Sequence, residues 1–172
     1  DLNTLLNIFK QSGFYFAEVD VEIKDNTNDT VNLIYNVNRG EKAAINEIKF
    51  IGDKKFKDRK LHSVITSEEN KFWKFISKNK YLNIERINLD KRLLKNFYLN
   101  KGYYQVEVND AYSSILDKEN FVLTFNIDAG EKFFFNNLSI DLPNDFDPKK
   151  FRKLEKIFLN LKGEKYNLNK VE

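Results

Sequence analysis

A pattern that returns about every 90 residues constrains this chain more than any other feature, because a repeat dictates an array of similar small units rather than one large core. Phe9-Lys10-Gln11-Ser12-Gly13-Phe14-Tyr15 is echoed by Tyr98-Leu99-Asn100-Lys101-Gly102-Tyr103-Tyr104, an offset of 89. Val37-Asn38-Arg39-Gly40-Glu41-Lys42 is echoed by Ile127-Asp128-Ala129-Gly130-Glu131-Lys132, an offset of 90. At the same 90, Ile45, Ile48, Phe50 and Phe56 map onto Phe135, Leu138, Ile140 and Phe146.

Local chemistry gives each stretch a structure. From Asn88, a candidate cap, the apolar Leu89, Leu93, Leu94, Phe97 and Tyr98 share one helical face, and Gly102 suits the left-handed residue that stops a helix. Beyond it Tyr104, Val106 and Val108 alternate with Gln105, Glu107 and Asn109, the period of a strand with one buried face. Phe121, Leu123, Phe125 and Ile127 alternate likewise after a polar stretch, so the two runs form a hairpin. The first copy repeats this with Ala17, Val19, Val21 and Ile23, a turn at 25–29, then Val31, Leu33, Tyr35 and Val37. Each hairpin leads through Gly-Glu-Lys into a further apolar segment, 45–51 or 133–140, spaced as a bulged strand, and then a short helix. In the last copy Asp147, Pro148, Phe151, Leu154, Ile157, Phe158 and Leu161 outline that helix and Gly163 ends it.

The sequence therefore predicts an α+β chain holding one complete β-α-α-β-β unit at 41–129. Residues 1–40 supply the last helix and hairpin of a preceding unit, and 130–172 the first strand and helix of a following one. The right-handed crossover rule lays the first strand of the complete unit parallel to its last, giving a three-stranded mixed sheet of order 1-3-2 on two helices. The middle strand in sequence, 103–112, is then an edge, whose unpaired N–H and C=O groups a guest segment can pair with. Its stretch 103–109 holds no Lys or Pro to blunt it.

Composition narrows function. The 172 residues include 29 Lys+Arg and 26 Asp+Glu, a net charge of +3, too little to mark a nucleic-acid binder. Sixteen Phe, eight Tyr and one Trp supply ample core, while the absence of Cys removes disulfides, thiolate metal sites and Cys nucleophiles. No apolar run reaches the ~20 residues of a membrane-spanning helix, and the opening Asp1-Leu2-Asn3-Thr4 is not a secretory signal. With no Met in the sequence, the chain reads as an internal piece of a longer one. His62 stands alone with no second His or Cys to complete a metal or nucleophile set, Glu68-Glu69 reads as solvated turn charge, and the six scattered glycines form no phosphate loop. Catalysis and bound cofactors or metals are not expected.

These motifs resemble the POTRA domains, tandem modules that stand in front of outer-membrane β-barrels. The resemblance rests on Tyr98, Gly102, Tyr103 and Tyr104, on Gly130-Glu131-Lys132 leading to Phe135 and Leu138, and on Gly163-Glu164-Lys165-Tyr166-Asn167. It covers nearly the whole chain and is strongest with the units of a β-barrel assembly factor, although Gly52-Asp53 stands where the family often has Gly-Asn. It implies a non-enzymatic periplasmic scaffold, the soluble part of an outer-membrane protein. Its implied partners are unfolded outer-membrane proteins, accessory assembly lipoproteins and a C-terminal β-barrel of the same full-length chain.

The expected partner-binding residues are Tyr103, Tyr104, Gln105, Val106, Glu107, Val108 and Asn109 along the edge. Tyr104 shares the buried phase, so Tyr103 is expected to point away from the helices as a wet aromatic contact. Trp73, with Phe72 and Phe75 in the inter-helix insertion, reads first as core or inter-unit packing, and is also a candidate partner contact. A single-stranded nucleic-acid module is the competing class, on the strand aromatics Tyr103 and Phe133-Phe134-Phe135 and the basic runs Lys54-Lys55-Phe56-Lys57 and Lys149-Lys150. The small net charge and alternating acids weigh against it, and nucleic acid is not among the expected partners.

Overall fold

A computed structural model describes the chain except residues 27, 74–75, 116–119, 142, 144–146, 148, 150–151 and 172, and describes only the backbone of 110 and 112–115. In order come α1 (Leu2–Gln11), β1 (Glu18–Asp25), β2 (Val31–Asn38), β3 (Ala44–Asp53), α2 (Asp58–His62), α3 (Ile84–Leu99), β4 (Glu107–Ile115), β5 (Asn120–Asp128), α4 (Arg152–Leu161) and a 3-10 turn (Leu168–Lys170). β1 and β2 form an antiparallel hairpin, and the other strands form a mixed sheet of order β3-β5-β4 with β3 parallel and β4 antiparallel to β5. The α+β class and the 1-3-2 order of the middle region match the sequence expectation.

The core lies where α3 and α2 meet the middle sheet. Ile45, Phe125, Leu123, Ile127, Leu61, Leu94 and Tyr98 are fully buried, and Phe50 stacks on Phe125 with ring centroids 5.6 Å apart. By contrast the β1–β2 hairpin leaves apolar side chains in solvent, Ile23 at 63% and Leu33 at 55% exposure, which α1, packed against β1, does not cover.

α3 starts a turn earlier than the sequence suggested. Asn83, not Asn88, is the cap, its Oδ1 accepting from Arg86 N at 2.8 Å. At the other end the Gly-aromatic motif is a Schellman lock. Gly102, at φ +98°, donates its N–H to Leu99 O at 3.3 Å and Tyr103 donates to Tyr98 O at 3.1 Å. Gly13 (φ +92°) and Phe14 repeat the pattern on Lys10 O and Phe9 O at 3.0 and 2.9 Å.

The junctions after these locks also repeat. Gly13 O accepts from Ala43 N (2.9 Å), Ala43 O accepts from Leu82 N (2.8 Å), and Asn83 Nδ2 donates to Gln11 O (3.1 Å). In the second instance Gly102 O accepts from Phe133 N (2.8 Å), Phe133 O accepts from Tyr166 N (2.9 Å), and Asn100 Oδ1 accepts from Asn169 N (3.1 Å). The expected strand at 133–140 is absent; one bridge, Phe134 to Lys165, is all that forms there, since no hairpin in the described chain offers it an edge. As expected of a cap, Asp147 Oδ1 accepts from Lys149 N at 3.0 Å, while Pro148, Phe151, the equivalence of Phe146 with Phe56, and Phe75 fall outside the described set.

Candidate functional site

A three-stranded sheet has two edges, and here they differ. β3 is closed by the segment that follows α2 and by Lys54 just beyond its own end. Ile45 donates to Lys80 O (2.7 Å) and accepts from Asn70 N (2.6 Å), Ile48 N–H donates to Glu69 Oε1 (3.1 Å), and Lys54 Nζ donates to Phe50 O (3.0 Å). Glu69 is therefore no solvated turn charge. Burial raises its carboxyl pKa, but the Lys71 ammonium at 2.9 Å and the Ile48 N–H outweigh that and hold it below the ordinary carboxylate range. Asp90, fully buried on α3, anchors the start of the same segment by accepting from Thr66 N (2.6 Å), Thr66 Oγ1 (2.7 Å) and Ser67 N (3.1 Å).

β4 ends the sheet on the other side, with β5 as its one neighbouring strand among the described residues. The ladder phase follows from one bond. Ala129 donates to Asp53 O at 3.1 Å, so odd-numbered β5 residues face β3 and even-numbered ones face β4. Their partners Glu107, Asn109, Tyr112 and Ser114 spend their backbone groups on β5, and the N–H and C=O of Val108, Ser113 and Ile115 point outward. A bulge between Asn109 and Ala111 twists this edge midway, so it carries one of the blunting devices that 103–109 lacks.

The sequence-derived residues divide at Glu107. Tyr103 through Val106 precede the strand in a turn closed by Val106 N–H on Tyr103 O (3.3 Å), so the alternation that placed Tyr103 in solvent does not apply to them. Tyr103 is 7% exposed and packs edge-on against Tyr98 and Phe56, as the lock's apolar contact requires. Tyr104 instead is 56% exposed, its ring edge-on to Phe133 and Tyr166. Val106 is buried and Val108 half-buried over the core, while Asn109 is exposed and donates to Glu107 Oε2 at 3.1 Å. Tyr104, Gln105, Val106 and Glu107 share a shallow depression at the head of β4 with Lys95 and Asp128.

Trp73 lies apart from this edge in the inter-helix insertion. It is 58% exposed beside Phe72 at 89%, so the reading of the pair as core is corrected. His62 packs edge-on against Phe50 at 5.1 Å, and no cluster of metal-ligating side chains occurs among the described residues.

Comparison with known proteins fits this geometry. Residues 43–130 match the family model "POTRA: Surface antigen variable number repeat". The outer membrane protein assembly factor BamA of Buchnera aphidicola is 30% identical over 84% of this chain and 23% of its own length, and that of Neisseria meningitidis is 25% identical over 79% and 17%. The chain thus spans less than a quarter of the curated relatives it matches. A crystal structure of Haemophilus influenzae BamA POTRA3-5 superposes with a TM-score of 0.59 at 17% identity, covering 99% of this chain and 63% of that one, which supports the fold. With the β3-β5-β4 sheet, its helices and the family match all falling on the same stretch, the chain belongs to the POTRA family.

Proposed function

We propose that this chain is a non-enzymatic scaffold segment of an outer-membrane protein assembly machinery, working in the periplasm as the soluble part of a protein that continues into a C-terminal β-barrel. In this reading 41–129 is a complete unit, 1–40 the end of a preceding one and 130–172 the start of a following one. The twice-used junction supports it: the same two backbone hydrogen bonds recur after Gly13 and after Gly102, each with an asparagine bond beside them. Unfolded outer-membrane polypeptides and accessory assembly lipoproteins bind by adding a strand to β4.

The observation that carries this proposal is the contrast between a β3 edge capped from within and a β4 edge whose Val108 and Ser113 backbone groups face outward. Backbone pairing is indifferent to guest side chains, which suits a receptor for many sequences. Tyr104, Gln105 and Glu107 flank the entry to this edge, and Trp73 with Phe72 offers a lipoprotein an exposed aromatic anchor. Ordering a flexible guest offsets much of the pairing energy, so affinity falls in about the micromolar to millimolar range.

The test is a titration of the chain with an extended outer-membrane β-strand peptide and, separately, single-stranded RNA, following backbone amide shifts. Shifts along 107–115 from peptide alone support the scaffold. RNA-induced shifts there, or none from peptide, refute it.

A further inference from the structure

A groove of about 830 Å³ runs along the second junction, between the C-terminal end of α3 and residues 163–170. Lys60, Lys101, Lys132, Lys165 and Lys170 line it against one acid, Glu164. That local excess of four positive charges exceeds the +3 of the entire chain. Glu164 is paired with Lys170, and among the described residues the other four lysines make no ion pair. Two of them, Lys60 and Lys101, hold their ammonium groups 5.6 and 5.8 Å from the centroid of a single ring, Phe97. One ring thus gathers two ammonium groups, and a bound anion in the groove offsets their positive charge.

The first junction has the same sign at the equivalent place. Its groove is lined by Lys42, Lys78 and Arg86 and by no carboxylate, with Lys42 standing where Lys132 stands in the repeat. Arg86 is partly committed there, donating to Tyr81 O at 3.1 Å and Lys78 O at 3.3 Å.

We infer that the second junction groove is a docking site for an acidic, extended peptide segment of a partner protein, carboxylates on the lysines and one apolar side chain on Phe134. The aromatic walls favour peptide over nucleic acid. Phe97 is met edge-on by Phe56, and Phe56 is itself packed on Tyr98 and Tyr103, which leaves Phe134, 56% exposed, as an open ring. A strand of stacked bases needs successive open rings. The groove contains no β4 residue, so this site and the strand-adding edge stand or fall separately.

The test is fluorescence anisotropy of the chain with a labelled hexaglutamate peptide carrying a central phenylalanine, at about 0.05 and about 0.15 M salt, since exposed charges are screened across that range. Binding that weakens with salt is expected. The triple change Lys60→Gln, Lys101→Gln, Lys165→Gln is expected to lower affinity about tenfold, and the matching Arg triple to retain it. Equal binding of the glutamine counterpart, or an unaffected Gln triple, overturns the proposal. So does tighter binding of a single-stranded RNA of equal charge, which assigns the groove to nucleic acid.

Discussion

Replacing Asp90 with Ala is expected to remove about 3–5 kcal/mol of stability. The carboxylate is fully buried and accepts three hydrogen bonds, two of them from backbone N–H groups. Each bond to an ionised group contributes about 1.5–3 kcal/mol, and the three act as one unit rather than adding. Truncation leaves the Thr66 and Ser67 N–H groups without their acceptor beside a Ser67 hydroxyl that already has no partner. Urea unfolding followed by circular dichroism reads the loss, and for a domain of this size the melting point falls by on the order of 20 °C. Asp90→Asn keeps one acceptor oxygen and is expected to cost about half as much. Because Asp90 anchors the segment that caps β3, hydrogen exchange at the Ile48 amide should accelerate before exchange within β5 does. A variant within about 1 kcal/mol of the parent, with Ile48 still protected, refutes the reasoning.

Gly52→Ala is expected to cost more than about 2 kcal/mol, read by the same urea curve: at φ +85° an added Cβ would meet Ile127 O and stand 2.6 Å from Asn126 Oδ1. Burial first, then the neighbouring Tyr103, Asp53 and Asp58, push the Tyr98 phenol well above its ordinary value. Its stabilising contribution is therefore full below about pH 10 and is lost as pH rises beyond that. Tyr98→Phe flattens this alkaline loss and costs about 1 kcal/mol at neutral pH, because Lys54 O loses its donor. Val108→Pro, at an outward N–H, should leave the fold intact and abolish peptide binding, whereas Asn109→Pro cuts a bond to β5 and should unfold the sheet by circular dichroism.

Much of this was legible in sequence because repetition exposes structure that single motifs do not. The Gly-aromatic and Gly-Glu-Lys motifs mark the ends of α1 and α3 and the exits of two hairpins, and alternation located β1, β2 and β5. β4 starts later than the alternation of Tyr104, Val106 and Val108 suggests, because the tyrosine after Gly102 closes a Schellman lock; its echo, Phe14 against Phe9, is the available signal. The capping of β3 had no local signature, since Glu69 reaches Ile48 across 21 residues and Asp90 reaches Thr66 across 24. Trp73 and Phe72 are exposed although their aromatic content reads as core, a case where composition alone misleads.

The most direct measurement is amide hydrogen exchange at Val108 and Ser113 with and without a saturating outer-membrane β-strand peptide, with Asn109 and Tyr112 as internal references. Strand addition at β4 slows the outward pair on peptide addition, while the references, already bonded to β5, change little. Unchanged exchange at Val108 and Ser113 in a peptide-bound chain would contradict it.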